Sequence, residues 1–125
     1  MGLFDSMMGN ASEIPVGEIQ QELRPVLTPG EQVEKAYKVF RDGIVFTNKR
    51  LILIDKQGVT GNKTELLSIP YKSIIRFSRE SAGTFDLDAE LKIWLSGQSM
   101  PIVKKFNKQV NINEIYAKLS QYILG

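Results

Sequence analysis

The sequence contains no cysteine and no histidine. Without cysteine there are no disulfide bonds, thiolate nucleophiles or cysteine metal ligands, which fits a reducing compartment. Without histidine the commonest general base and the commonest zinc ligand are missing. No apolar run approaches the ~20 residues that cross a bilayer, and the N-terminus lacks the pattern of a secretory leader. We therefore expect a cytoplasmic protein that is not an enzyme and that holds no metal or cofactor.

The charged residues are unevenly distributed along a chain of otherwise ordinary composition. The 125 residues suit a single domain, with 42% hydrophobic and 24% charged residues. Residues 1–34 contain six acidic residues and one arginine, a net charge of −5, whereas residues 35–125 carry +7. The two parts could attract each other, within one chain or between copies, or the basic part could meet an anionic surface. Nucleic acid is not expected as a partner, because the aromatic residues do not interleave with a basic stripe.

The N-terminal region combines an apolar stripe with a predicted helix. If the first residues were helical, one stripe without an obvious place to pack would consist of Leu3, Phe4, Met7 and Met8. From Val16 the apolar residues recur at helical spacing, and Pro25 disfavours helix at Arg24, so the helix should end there. The sequence TPGE, which begins at Thr28, is typical of a type II turn.

After this turn the apolar period becomes that of β-strands. Asp42-Gly43 predicts a type I′ turn between the first two strands, and Asn48 with Lys49 predicts the next turn. The third strand, RLILID from Arg50, is apolar on consecutive positions, which predicts burial on both faces or a subunit contact. Four more strands follow, and the strand FDLDAELKIWL alternates charged and apolar residues. Asn111 and Glu114 form a capping-box pattern that begins a C-terminal amphipathic helix.

Three segments of the chain resemble the bacterial pleckstrin-homology family, which was formerly classed as a domain of unknown function. They are FTNKRLILIDKQGVTG, SIPYKSI and FDLDAELKIW, and the resemblance covers about residues 14–125. It implies a mainly β fold, in which a bent seven-stranded antiparallel sheet or partly open barrel is capped by a C-terminal helix. It also implies no established enzymatic activity and a tendency to form homomeric rings. We divide the chain into an acidic helical arm, residues 1–34, and a pleckstrin-homology-like domain, residues 35–125.

The first hairpin departs from the pattern of lipid-binding relatives, whose basic residues converge there. This hairpin offers Lys35, Lys38 and Arg41. Because side chains alternate along a strand, Lys38 points away from the face that Lys35 and Arg41 share. The three side chains therefore cannot surround one phosphate without a bulge.

Lys49 and Arg50 form a candidate anion contact, since arginine binds a phosphate through two donors and lysine as a point charge. The alternative is that an exposed hairpin turn simply requires polar residues beside Asn48. Adjacent strand residues face opposite ways, which favours the alternative.

Carboxylates at alternate positions form a candidate metal or catalytic site. Asp86, Asp88 and Glu90 share one strand face. Carboxylates about 7 Å apart on a straight strand more readily pair with lysine or arginine on a neighbouring strand. We therefore predict no metal site.

Self-association is the function that the sequence favours. We predict a scaffold or protein-binding domain that assembles into a homomeric ring through Ile52, Ile54, Trp94 and the stripe of Leu3, Phe4, Met7 and Met8. Trp94 shares the face of the charged residues, where either a subunit or part of the same chain would cover it. The alternatives are a membrane-surface adaptor that binds anionic lipid through the N-terminal stripe and an enzyme that uses carboxylates or a metal.

Overall fold

The computed structural model describes residues 13–39, 42–57, 63–81, 89–106 and 111–125. The chain begins with helix α1 (Val16–Leu23) and a 3-10 turn (Arg24–Val26) in the described residues. Four strands follow: β1 (Val33–Val39), β2 (Asp42–Thr47), β3 (Arg50–Gln57) and β4 (Lys63–Pro70). After a second 3-10 turn (Tyr71–Ser73) come strands β5 (Ile74–Ser81), β6 (Ala89–Leu95) and β7 (Ile102–Phe106), and then helix α2 (Ile112–Leu124). The chain forms two compact units, one up to Ile69 and one from Pro70.

The first unit is a four-stranded sheet with a helix on one face. The strand order is β1-β2-β3-β4, and α1 packs against β1. One core cluster joins the helix to the sheet and contains Ile14, Ile19, Leu23, Val33, Ala36, Val45, Ile52 and Ile54. The helix spans the predicted residues because its apolar positions recur at helical spacing and Pro25 follows within the 3-10 turn. The side chain of Gln20 on α1 accepts a 2.6 Å hydrogen bond from the backbone N–H of Val33.

The outer edge of β1 is covered by the residues that precede α1. Ile14 donates its backbone N–H to the carbonyl of Ala36 at 2.9 Å, and Glu13 forms an antiparallel bridge with Tyr37. The Glu13 carboxylate accepts a 2.6 Å hydrogen bond from Lys35 Nζ. These contacts occupy backbone groups that an edge strand would otherwise present to solvent.

The turn between β1 and β2 is not where the sequence predicts it. Asp42 and Gly43 belong to β2 and pair with the end of β1, so the connecting residues are 40 and 41, which lie outside the described ranges. The prediction of a turn at Asp42-Gly43 is therefore wrong. In the observed register Ala36 lies opposite Val45, and both belong to the core, whereas a turn at Asp42-Gly43 would have placed Ala36 opposite Lys49. Burial of the apolar face sets the register and outweighs local turn preference.

Two other predicted turns are confirmed. Gly30 has a φ of 81°, and the N–H of Glu31 donates to the carbonyl of Thr28 at 3.0 Å, as in a type II turn. Asn48 and Lys49 connect β2 to β3. The Asn48 side chain also holds the first turn, because its Oδ1 accepts from the Gln32 N–H at 2.7 Å.

The second unit is a three-stranded antiparallel sheet with α2. The strand order is β5-β6-β7, and α2 packs against β5, β6 and the second 3-10 turn. The predicted alternation along β6 is confirmed. Leu91 and Ile93 are buried, whereas the alternate residues Lys92 and Trp94 are half-buried. Asn111 Oδ1 accepts the Glu114 N–H at 3.3 Å, which caps the predicted helix.

The prediction of a mainly β chain is confirmed: within the described residues, seven antiparallel strands lie in two sheets, preceded by helix α1 and followed by helix α2. Among the described residues, neither helix has the length and apolar character needed to span a bilayer.

Candidate functional site

A buried carboxylate organises the polar end of the first sheet. Glu31 follows the Thr28–Glu31 turn, and its side chain is 1% exposed. Arg50 Nε donates to Glu31 Oε2 at 2.8 Å, and Arg50 Nη2 donates to Glu31 Oε1 at 3.0 Å. The Thr47 hydroxyl donates to Oε2 at 2.7 Å, and the Thr28 N–H donates to Oε1 at 3.0 Å. This two-pronged ion pair is the strongest geometry available to an arginine and a carboxylate.

Arg50 also binds two groups on other elements. Its Nη1 donates to the Ser68 hydroxyl on β4 at 2.9 Å, and its Nη2 donates to the Val26 carbonyl in the 3-10 turn at 2.7 Å. One guanidinium therefore connects β3, β4, the turn at Glu31 and the end of the helical segment. Lys49 beside it is exposed. The anion contact at Lys49 and Arg50 stays a prediction, and at Arg50 it would require these internal hydrogen bonds to break.

The surroundings of Glu31 lower its pKa. Burial by itself would raise the pKa of this carboxyl, but hydrogen bonds from Arg50, the Thr28 N–H and Thr47, with the positive charge of Arg50, outweigh burial. The pKa of Glu31 falls from 4.5 to about 2. Glu31 is thus charged at neutral pH and serves as the acceptor of this hydrogen-bond network.

Sequence reasoning missed this network because Glu31 shows no periodicity and lies far from Arg50 along the chain. A signal was nevertheless available. Arg50 begins a strand whose next four residues, from Leu51 to Ile54, are all buried. A guanidinium at that position needs an acceptor from the same chain.

The predicted interface residues of β3 lie inside the first unit. Ile52 and Ile54 are 1% and 2% exposed and belong to the core cluster with α1. The predicted two-sided burial of this strand is therefore achieved within one chain. The stripe of Leu3, Phe4, Met7 and Met8 lies outside the described residues.

The first hairpin does not gather its lysines. Lys35 pairs with Glu13, while Lys38 is 6% exposed on the opposite face of β1. Arg41 lies outside the described residues. The two described lysines therefore present no shared basic patch.

The carboxylates of the candidate metal site are only partly within the described residues. Asp86 and Asp88 lie outside them, whereas Glu90 on β6 lies opposite Lys105 on β7, with 3.9 Å between Oε2 and Nζ. In the parts of the chain that are described, no three potential ligands among aspartate, glutamate, histidine and cysteine cluster as a metal site would require.

Trp94 has an arginine beside it on the neighbouring strand. Arg76 on β5 lies opposite Trp94 on β6, and the guanidinium carbon is 4.5 Å from the centre of the indole ring. This distance is within the range of a cation–π contact. Trp94 is half-buried and Arg76 is exposed. The Arg76 guanidinium therefore covers one side of the indole ring from within the chain. A subunit contact at Trp94 stays a prediction.

Two exposed leucines stand on the last strand of the first sheet. Leu66 and Leu67 on β4 are 40% and 37% exposed. Of the eight residues of β4, only Ile69 is buried. This strand therefore presents more apolar surface than β2 and β3 of the same sheet, which are largely buried.

These features belong to a small β domain with an N-terminal helix on its first sheet, and comparison with known proteins defines its class. The family model described as bacterial PH domain matches residues 2–123. The chain belongs to this family, which confirms the resemblance found in the sequence.

Two solved structures show the same fold at high identity. A pleckstrin-homology domain from Shewanella amazonensis is 52% identical, with a TM-score of 0.84, and the match covers 99% of this chain and 100% of that one. A DUF1696 family protein with a pleckstrin-homology domain, from Shewanella loihica, is also 52% identical. Its TM-score is 0.82, and the match covers 92% of this chain and 98% of that one. Among curated proteins, the uncharacterized protein YjqA of Bacillus subtilis is 57% identical over 96% of this chain and 97% of its own length.

Proposed function

We propose that this chain is a non-enzymatic, cytoplasmic scaffold domain whose copies join through exposed strand edges into a homomeric ring. The observation that carries the proposal is the exposed apolar strand β4. The assembled ring would present repeated copies of one surface to partner proteins. Homomeric rings are also what the resemblance to the bacterial pleckstrin-homology family implies.

The two edges of the first sheet differ. The edge at β1 is covered by Glu13 and Ile14, whereas β4 is the last strand of that sheet within the described residues. Leu66 and Leu67 lie on opposite faces of β4 because side chains alternate along a strand. An exposed edge with apolar side chains is a template to which another chain can add a strand.

The second unit supplies a different apolar surface on its own edge strand β5. Ile75 on this strand is 61% exposed. A contact between unlike surfaces of neighbouring copies is heterologous, and such contacts close into a ring when the rotation between copies permits. This supports a ring over a two-fold dimer.

The test is the native mass of the full chain and of a Leu66→Lys, Leu67→Lys double variant. We expect one closed species of several subunits for the unaltered chain and a monomer for the variant. Both leucines are partly exposed, so the variant should stay folded, with a loss of about 1 kcal/mol or less. A Met100→Lys variant is the control, because Met100 is 77% exposed but lies between strands, and its mass should match the unaltered chain.

A monomer mass for the unaltered chain in light scattering at micromolar concentration would refute self-association. A continuous series of sizes would instead refute ring closure, since open heterologous contacts produce filaments of any length.

A further inference from the structure

The face of the second sheet that carries Trp94 has a positively charged, partly apolar end. On antiparallel strands, residues directly opposite each other share a face. Arg76 lies opposite Trp94, and Val103 lies opposite Lys92. We call these four residues the Trp94 patch.

The charges of this face are not balanced at the Trp94 patch. The acidic residues Glu80 and Glu90 lie opposite each other further along the strands, and Glu90 pairs with Lys105. Lys92 reaches Glu80 only at 3.8 Å, and that carboxylate side chain is 68% exposed. Within the described parts of the chain, Arg76 has the Trp94 ring as its contact and no carboxylate partner. The patch therefore has positive charge that the same chain compensates weakly.

We propose that the Trp94 patch binds an acidic segment of another protein. A carboxylate of the partner would bind the Arg76 guanidinium through two hydrogen bonds while that group stays on the indole ring. A second carboxylate would reach Lys92, which lies two residues from Trp94 on the same strand and hence about 7 Å away. Apolar side chains on the same face of the peptide, before or after the two acids, would contact the indole and Val103, which is 42% exposed.

The geometry favours a peptide over a phosphate group. Beside Arg76 and Lys92, the indole ring of Trp94 and the side chain of Val103 add apolar surface on the same face, which an extended peptide can contact and a phosphate group cannot. An extended peptide matches the two cations because its own alternate side chains are also about 7 Å apart. Tryptophan and arginine are, in addition, the residues that most often dominate protein–protein contacts.

The chain carries its own reporter for this test, because Trp94 is its one tryptophan. The probe is a short peptide of glutamate and leucine, with no aromatic residue, titrated into the full-length protein while tryptophan emission is recorded. The matched peptide replaces every glutamate by lysine. We expect a saturable change in emission with the acidic peptide, weaker binding as salt rises, and no change with the basic peptide.

Variants assign the binding to the patch. Arg76→Gln should weaken binding about tenfold or more, since hydrogen bonds between charged groups contribute this much. Arg76→Lys keeps the charge and should retain part of the affinity. Lys72→Gln removes an exposed cation from the 3-10 turn of the same unit and should leave affinity unchanged. Urea unfolding of each variant verifies that it is folded.

Four results would overturn the proposal. The acidic peptide could leave the emission unchanged, or it could bind Arg76→Gln as tightly as the unaltered chain. Inorganic phosphate or vesicles of anionic phospholipid could produce the same response with the same dependence on Arg76. Finally, Arg76→Glu could reduce the native mass to that of a monomer, which would assign the patch to contacts between copies.

Discussion

At the scale of single residues, Arg50 has a structural role, although its local sequence resembles an anion-binding site. Its guanidinium binds Glu31, Ser68 and the Val26 carbonyl. Because Glu31 is almost fully buried, its charge depends on this partner. The local sequence FTNKRLILID is compatible with an anion-binding and with a structural role of Arg50, and the contacts of Arg50 support the structural role.

Arg50→Ala should lower the free energy of unfolding by about 3 kcal/mol, because it leaves a charged carboxylate buried without its ionic partner. Lys49→Ala is the matched control, since Lys49 is exposed, and it should change stability by about 0.5 kcal/mol or less. Urea unfolding measures both. Equal stability of the two variants would show that the ion pair contributes nothing.

Protonation of the Glu31 carboxylate should make the protein less stable in acid. Its pKa is about 2 in the folded chain and 4.5 ordinarily, so the folded state favours the charged form. The stabilisation is present above the unfolded pKa and is lost as pH falls from about 5 to about 2, amounting to about 3 kcal/mol. Urea unfolding at several pH values measures this loss. A Glu31→Gln variant has no such carboxyl, and its stability should change less over this range.

At the scale of elements, the seven strands and the helices α1 and α2 of the described residues were predictable from the sequence, as were two of the three predicted turns. Periodicity and turn residues are local signals, and α1 and β6 show them clearly. The hairpin at Asp42-Gly43 was not predictable, because its register depends on how Ala36 and Val45 pack against α1. The contacts of Arg50 depend likewise on four elements that are distant in sequence, and the pairing of Arg76 with Trp94 depends on a register shift within β5.

Two glycines should respond in opposite ways to alanine. Gly30 has a φ of 81° and Gly17 lies in α1, and an added Cβ at either position would meet no heavy atom within 4 Å. The backbone conformation at each position therefore decides whether alanine raises or lowers the free energy of unfolding. Gly30→Ala should lower the free energy of unfolding by about 1 kcal/mol, because L-residues rarely adopt positive φ. Gly17→Ala should raise it by about 0.5–1 kcal/mol through helix propensity. Thermal unfolding measures the two variants, and a change of the same sign in both would contradict this account.

At the scale of the whole molecule, membership of the bacterial pleckstrin-homology family leaves the partner open. The scaffold and membrane-adaptor hypotheses differ in what residues 1–12 would do. An adaptor would use their apolar residues at the lipid surface, aided by the basic remainder of the chain.

Cosedimentation with anionic phospholipid vesicles separates these hypotheses. For the scaffold we expect the full chain to remain in the supernatant at low salt, as does a variant without residues 1–12, with native masses that vesicles do not change. Sedimentation of the full chain that is lost on removing residues 1–12 and on raising salt would favour the adaptor instead.

The hydrogen bond from the Val33 N–H to the Gln20 side chain links strand to helix. An amide held by a side chain of α1 can exchange its proton with deuterated solvent only after that hydrogen bond breaks, as it does whenever the helix moves away. We expect Val33 to exchange at the rate of the α1 amides, and Gln20→Ala to accelerate it while leaving the β2 amides slow. Such exchange would indicate that α1 detaches from β1 and packs back onto it without global unfolding.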